Sequence, residues 1–208
     1  MSEARRLLLL RHGQTAWNAE RRVQGHFDVS LDATGIRQAE QVAPVLAAMR
    51  PEFVITSDLC RAAATATVVA RAAGLEAVTD ARLREFDMGD LTGVTMQEFE
   101  QANPDEYALL QSGDYAVVPG GESVQAVLSR FGAALDDALA RLPAGRLGIV
   151  ISHGAATKVS MLGWLGLPPA MAVTLVGLGN CHWALIEESA QESVGLPRRR
   201  LVAYNQHA

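Results

Sequence analysis

The chain has 208 residues and a mass of 22.2 kDa, with 49% hydrophobic and 20% charged residues. Those proportions are ordinary for a globular protein, so a disordered chain is excluded and a full core can form without metal or disulfide staples. The net charge of −5 argues against a protein that coats nucleic acid electrostatically, and no apolar run nears the roughly 20 residues that span a bilayer.

The run from Leu7 to Leu10 is too short for a signal-peptide core, and Cys60 and Cys181 are too few for a disulfide framework. Two reduced thiols in a cytoplasmic chain are expected. No repeat, low-complexity tract or linker divides the sequence, so one domain over 1–208 is expected.

Arg5 to Leu10 reads as a buried strand that stops at Arg11-His12-Gly13. Ile36, Ala39, Val42, Ala43 and Leu46 recur at helical spacing, which predicts an amphipathic helix over 32–49, stopped by Pro51. Phe53-Val54-Ile55 is a second strand. Thr56-Ser57-Asp58 then offer N-caps for a helix to about Ala73, closed by Gly74, and 75–79 is a third short strand. Residues 82–120 are polar and irregular, with one or two short helices near 96–111, and read as an insertion over one end of the sheet. A long helix over 122–142, a strand over 147–151 and a helix to about Leu165 follow. Residues 172–187 and 199–205 alternate as late strands. Buried strands alternating with helices predict an α/β fold, a three-layer α/β/α sandwich around a mainly parallel sheet.

Three of these strands end in polar residues: Arg11-His12-Gly13, Thr56-Ser57-Asp58 with Arg61 one turn on, and Ser152-His153-Gly154. Ligands in open α/β sheets sit outside the carboxyl ends of the strands, so two histidines and two arginines are expected in one pocket. Arg11 and Arg61 are planar forks suited to bidentate phosphate or carboxylate, and two helix N-termini would add N–H groups. A neutral histidine there can attack phosphorus and form a phosphohistidine. The leaving alkoxide needs a proton, for which Glu85 is the first candidate and Asp87 and Asp90 are alternatives.

Leu9-Leu10-Arg11-His12-Gly13-Gln14-Thr15 with Asn18 resembles the opening signature of the histidine phosphatase superfamily, the phosphoglycerate-mutase-like proteins. Ser57 to Ala62 resembles its second arginine motif, Leu83-Arg84-Glu85 its acid motif and Ser152-His153-Gly154 its second histidine, in the family's order along the chain. The resemblance implies that His12 is the phosphorylated nucleophile, that Arg11, Arg61, His153 and Gly154 bind the phosphoryl group with help from Asn18, and that Glu85 is the proton donor. It places Gln24 and Gly25 in a loop near the substrate. It implies no metal or other cofactor and a small-molecule phosphate ester as partner, with no nucleic acid and no membrane; a homodimer is one assembly open to the chain. Phe86 to Gly93 is similar to the phosphatase branch, and Gly179 to Trp183 with the overall length is similar to glucosyl-3-phosphoglycerate phosphatases.

Each motif has a plainer reading beside it. Arg61 could pair with Asp58 along its own helix, Gln24-Gly25 could be an ordinary turn, and Asn180 to Trp183 could be packing. His26, His182 and His207 read as surface histidines, and Arg198 to Arg200 as a solvated run. His12, His153 and Glu85 form a two-histidine, one-carboxylate set of the kind that holds iron, against which the two adjacent arginines count. A mutase and a non-catalytic phosphate-ester binding protein are the functional rivals.

Overall fold

The computed structural model describes residues 4–189 and 198–208. Six strands form one sheet in the order β3-β2-β4-β1-β5-β6. They are β1 (Arg5–Arg11), β2 (Val54–Thr56), β3 (Ala77–Thr79), β4 (Leu147–Ser152), β5 (Trp183–Glu188) and β6 (Arg199–Gln206). The first four are mutually parallel, and β5 and β6 are antiparallel additions on one edge. The mainly parallel sheet expected from the sequence is present.

The alternation within the strands explains the layers. On β1, Leu7 and Leu9 enter one hydrophobic cluster while Leu8 and Leu10 enter the other, and Val54 and Ile55 divide in the same way on β2. A stretch buried on both faces must be apolar at every position, as Leu7 to Leu10 are. Helices α2 (Ala33–Ala48) and α3 (Cys60–Ala72) cover one face. Helices α6 (Val124–Ala140) and α7 (Gly154–Trp164) cover the other. A short α1 (Ala16–Ala19) follows the first strand. Within 82–120, α4 (Met96–Ala102) and α5 (Pro104–Gln111) meet at Asn103 and are flanked by short 3-10 turns, and Phe86, Leu91, Phe99 and Leu110 anchor this segment in the α6/α7 cluster.

Four local expectations are corrected. Ile36 is 47% exposed, because Gly35 takes the inward position at the start of α2. The N-cap residue of α3 is Leu59, with no side-chain cap of its own. Asp28, distant in sequence, instead accepts from Cys60 N at 2.7 Å. Residues 172–182 are not strand: a 3-10 turn covers Pro169–Thr174, and Cys181, at φ +56°, turns the chain so that its N–H reaches Arg11 O at 3.1 Å before β5 begins. Arg199, read as solvated, is half-buried over the Trp164 ring at 4.0 Å; Arg198 and Arg200 are exposed as expected.

Gly13 and Gly35 meet backbone to backbone, which fixes the turn after β1 against the start of α2. A Cβ on Gly35 would stand 2.1 Å from Gln14 O, and one on Gly13 2.5 Å from Gly35 O. Gly132, within α6, has nothing within 4 Å of its would-be Cβ. Urea unfolding should therefore separate the two sites. Gly35→Ala is expected to lose about 1–3 kcal/mol through overpacking, whereas Gly132→Ala gains about 0.5–1 kcal/mol through helix propensity. Similar effects at both sites would mean that the contact at Gly35 relaxes freely.

Candidate active site

The parallel strands deliver their polar ends to one side of the sheet. Arg11 pairs in register with Ser152, and Thr56 with Ile151, so the residues that follow β1, β2 and β4 are neighbours. His12 N donates to Ser152 O at 2.9 Å and Ser57 N to Ile151 O at 2.9 Å, which extends the ladder by one step on each side of β4. A cavity of about 450 Å³ opens there. Arg11, His12, Asn18 and Arg61 line it, as do Gln24, Gly25, Glu85 and Gly154. His153 is fully buried just behind, its ring 5.1 Å from that of His12.

The two histidines hold their protons on different nitrogens. His12 Nδ1 lies 2.6 Å from Gly13 O; a carbonyl only accepts, so Nδ1 carries the hydrogen and the lone pair is on Nε2. His153 Nδ1 receives Arg61 Nε at 3.2 Å; a guanidinium only donates, so the hydrogen is on Nε2, which meets Ser57 Oγ at 2.9 Å. Burial and the adjacent Arg11 and Arg61 charges hold His12 well below the usual imidazole range. Burial, Arg61 and His12 do the same for His153. Both rings are neutral, and only His12 lines the cavity.

The arginines differ in how they are held. Arg61 is 1% exposed, and its terminal nitrogens donate to Phe27 O at 2.9 Å and Gly25 O at 2.8 Å. Gly25, at φ +51°, turns its loop toward this guanidinium. Arg11 Nη1 donates to Leu178 O at 2.6 Å, while its buried Nε has no partner. Neither makes an ion pair within the described residues. Asp58, a conceivable partner of Arg61, is instead bound by Arg84 at 2.5–2.8 Å, which keeps its carboxyl below the usual range.

Glu85 occupies the N-terminus of α7. Its carboxylate accepts from Ala155 N at 3.0 Å and Ala156 N at 2.6 Å, and from Phe86 N at 3.0 Å. The expected open helix N-termini are thus filled by the protein's own carboxylates, Glu85 on α7 and Asp28 on α3. The loop bearing Glu85 is held from behind. Arg130 donates to the carbonyls of Arg82, Arg84 and Glu85 at 2.7–2.8 Å while paired with Glu122, and His26 Nε2 donates to Glu85 O at 2.8 Å. Asp87 caps Gly89 N, and Asp90 is exposed; neither lines the cavity.

Asn18 Oδ1 caps Thr15 N at 3.1 Å and accepts from Asn180 Nδ2 at 3.2 Å. Asn180 Nδ2 also reaches His12 O at 3.0 Å, so the late segment supports the histidine turn. Its neighbour His182 faces Asn205 and the His207 ring rather than the cavity. Burial pushes the Cys181 thiol up to about 12, and it and Cys60 are free. Among the described residues no group of three or more His, Cys, Asp or Glu is placed to hold a metal, and no helix is long and apolar enough to cross a membrane. Sequence reasoning missed Arg130 and Asp28 as supports, and Tyr115, Trp17 and Lys158 as cavity-lining side chains. Nothing local in the sequence marks them.

Comparison with known proteins agrees with this geometry. The sequence profile of the histidine phosphatase superfamily (branch 1) matches residues 7–195. A probable phosphoglycerate mutase, GpmB of Yersinia enterocolitica, is 39% identical over 185 residues, covering 87% of this chain and 84% of its own. The structure described as mycobacterial hydrolase 1 superposes with a TM-score of 0.89 at 34% identity, over 99% of this chain and 100% of that one. A mycobacterial glucosyl-3-phosphoglycerate phosphatase solved with VO3 gives 0.86 at 33% identity, over 97% and 99%. The chain therefore belongs to the histidine phosphatase superfamily.

Proposed function

We propose that the protein is a phosphomonoesterase that works through a phosphohistidine on His12, without a metal. The carrying observation is the neutral His12, its Nδ1–H fixed on Gly13 O, beside a buried Arg11 Nε–H that lacks a partner. A phosphoryl oxygen would satisfy that donor and offset two buried positive charges. In this reading 1–208 acts as one domain, and 82–120 covers the site.

Glu85 takes up a proton from the bound ester monoanion; His12 Nε2 attacks phosphorus as the bond to the leaving oxygen breaks, and Glu85 gives that proton to the leaving oxygen. The products are the free alcohol, Nε2-phosphohistidine and a Glu85 carboxylate. The positive charge on the ring is held at Nδ1–H by Gly13 O. Arg11 and Arg61 stabilise the equatorial oxygens, with Asn18 and the Gly154 turn beside them. His153 acts by fixing Arg61 Nε. Glu85 then takes a proton from water, whose oxygen attacks phosphorus as the N–P bond breaks. Inorganic phosphate leaves, and His12 is neutral again.

A mutase is the second reading, favoured by the relative described as a probable phosphoglycerate mutase. Hydrolysis is favoured by the likeness to a glucosyl-3-phosphoglycerate phosphatase, and a small phosphorylated metabolite such as a sugar phosphate is the substrate proposed. Partitioning of a labelled phosphoenzyme decides between them. Label released as inorganic phosphate supports hydrolysis, and label passed to an added phosphoglycerate supports the mutase.

Three outcomes are expected. Rapid quenching should trap an acid-labile, base-stable phosphoryl label that is absent from His12→Ala; label that persists in that variant places the nucleophile elsewhere. Glu85→Gln should slow single-turnover phosphorylation by about 10²–10⁴-fold for an alkyl phosphate and far less for a nitrophenyl phosphate, whose leaving group needs little protonation. Equal losses would assign Glu85 to binding or folding. Finally, a depressed imidazole stays neutral as pH falls through the usual value of 6.5. After correction for the ester's own ionisation, kcat/KM should show no acid limb near that pH; a limb there would mean that His12 titrates normally.

A further inference from the structure

Lys158 is the only lysine in the chain. It lies on α7 and lines the cavity. Four residues beyond Gly154, it stands about 6 Å further along the helix axis, a leaving group's distance from the phosphoryl end. Among the described residues it makes no ion pair, and its one hydrogen bond is a long 3.4 Å contact with Leu175 O. The other cations at the outer cavity differ. Arg22 is paired with Glu20 at 3.0 Å and bound to Gly93 O at 2.5 Å, and Arg21 is exposed. The lining also includes apolar side chains, among them Met88, Leu110, Val159 and Leu178.

A half-buried ammonium with no counter-charge costs stability, and burial holds it below the usual lysine range. An anion delivered by a ligand would offset that cost. A single ammonium matches a monoanion; a second phosphoryl group would call for the paired guanidiniums found at the other end of the cavity.

We propose that Lys158 determines specificity by binding a carboxylate on the leaving group of a phosphate ester whose body packs against the apolar lining. This rests on the phosphomonoesterase reading and names the substrate class within it.

The test uses two esters of the same shape, para-carboxyphenyl phosphate and its neutral counterpart para-carbamoylphenyl phosphate. Lys158→Met should lower kcat/KM for the carboxylate ester by about tenfold or more, chiefly through KM, in the range of a hydrogen bond to a charged group. For the carbamoyl ester the change should be under about twofold, and Lys158→Arg should recover part of the loss. Equal losses for both esters would make Lys158 structural, and no loss for either would leave the carboxylate unbound; each result overturns the proposal. Turnover of para-nitrophenyl phosphate but of neither test ester overturns it and leaves the phosphomonoesterase reading standing. No turnover of any of the three overturns that reading, and the proposal with it.

Discussion

Two guanidinium groups are carried into the interior with no carboxylate in contact, and much of the site's construction follows from that. Arg61 is 1% exposed and gives its terminal nitrogens to the carbonyls of Gly25 and Phe27. Arg11 uses Leu178 O and leaves Nε unpartnered. Carbonyls satisfy the hydrogens but do not cancel the charge, so desolvation draws down the pKa of both groups. Pairing them with carboxylates would stabilise the empty fold and close the pocket to an anion. The nearest acid, Glu85, raises both values through space, but its own hydrogen bonds hold it on the backbone of α7.

The same arginines divide the work of the histidines. Arg61 donates into His153 Nδ1, which leaves the proton on Nε2 and a neutral ring locked between Arg61 and Ser57. His12 is locked the other way by Gly13 O. Two buried imidazoles about 5 Å apart could not both be charged beside two guanidiniums, and neither needs to be. In the proposed reaction one is the nucleophile, with a free lone pair, and the other a brace.

The fold was legible because burial is written into short apolar runs: a four-leucine strand can only be buried on both faces, and Arg11-His12-Gly13 and Ser152-His153-Gly154 mark where such strands stop. The meeting of these strand ends was legible for the same reason, since parallel order brings strand ends together whatever their separation in sequence. The supports were not. Asp28 caps a helix 32 residues away, and Arg130 reaches back over 45 residues to the carbonyl of Glu85. Neither leaves a periodic or spacing signal. The 172–182 segment failed for a related reason: its residues alternate like a strand, but Asn180 and Cys181 are spent on the backbone of Arg11 and His12.

Helix N-termini in α/β sites are ready anion cradles, and here the protein fills both with its own carboxylates. On α3 the effect is structural, tying the 24–28 loop to the helix that bears Arg61. On α7 it is chemical. A carboxylate held by three N–H groups cannot swing away as the phosphoryl group moves, and its loop is clamped by Arg130, His26 and the bond from Ser152 Oγ to Leu83 O at 2.7 Å. Proton transfer depends steeply on donor position, so a fixed carboxyl group serves it better than a free one. In the proposed reaction phosphate binding then falls to the arginines, whose forks suit a dianion, and the helix terminus is left to orient the group proposed to gain and lose a proton. In the proposed reading charge recognition and proton transfer are thereby assigned to different parts of one small cavity, and the proposed role of the unpaired Lys158 further along α7, toward the leaving group, disturbs neither.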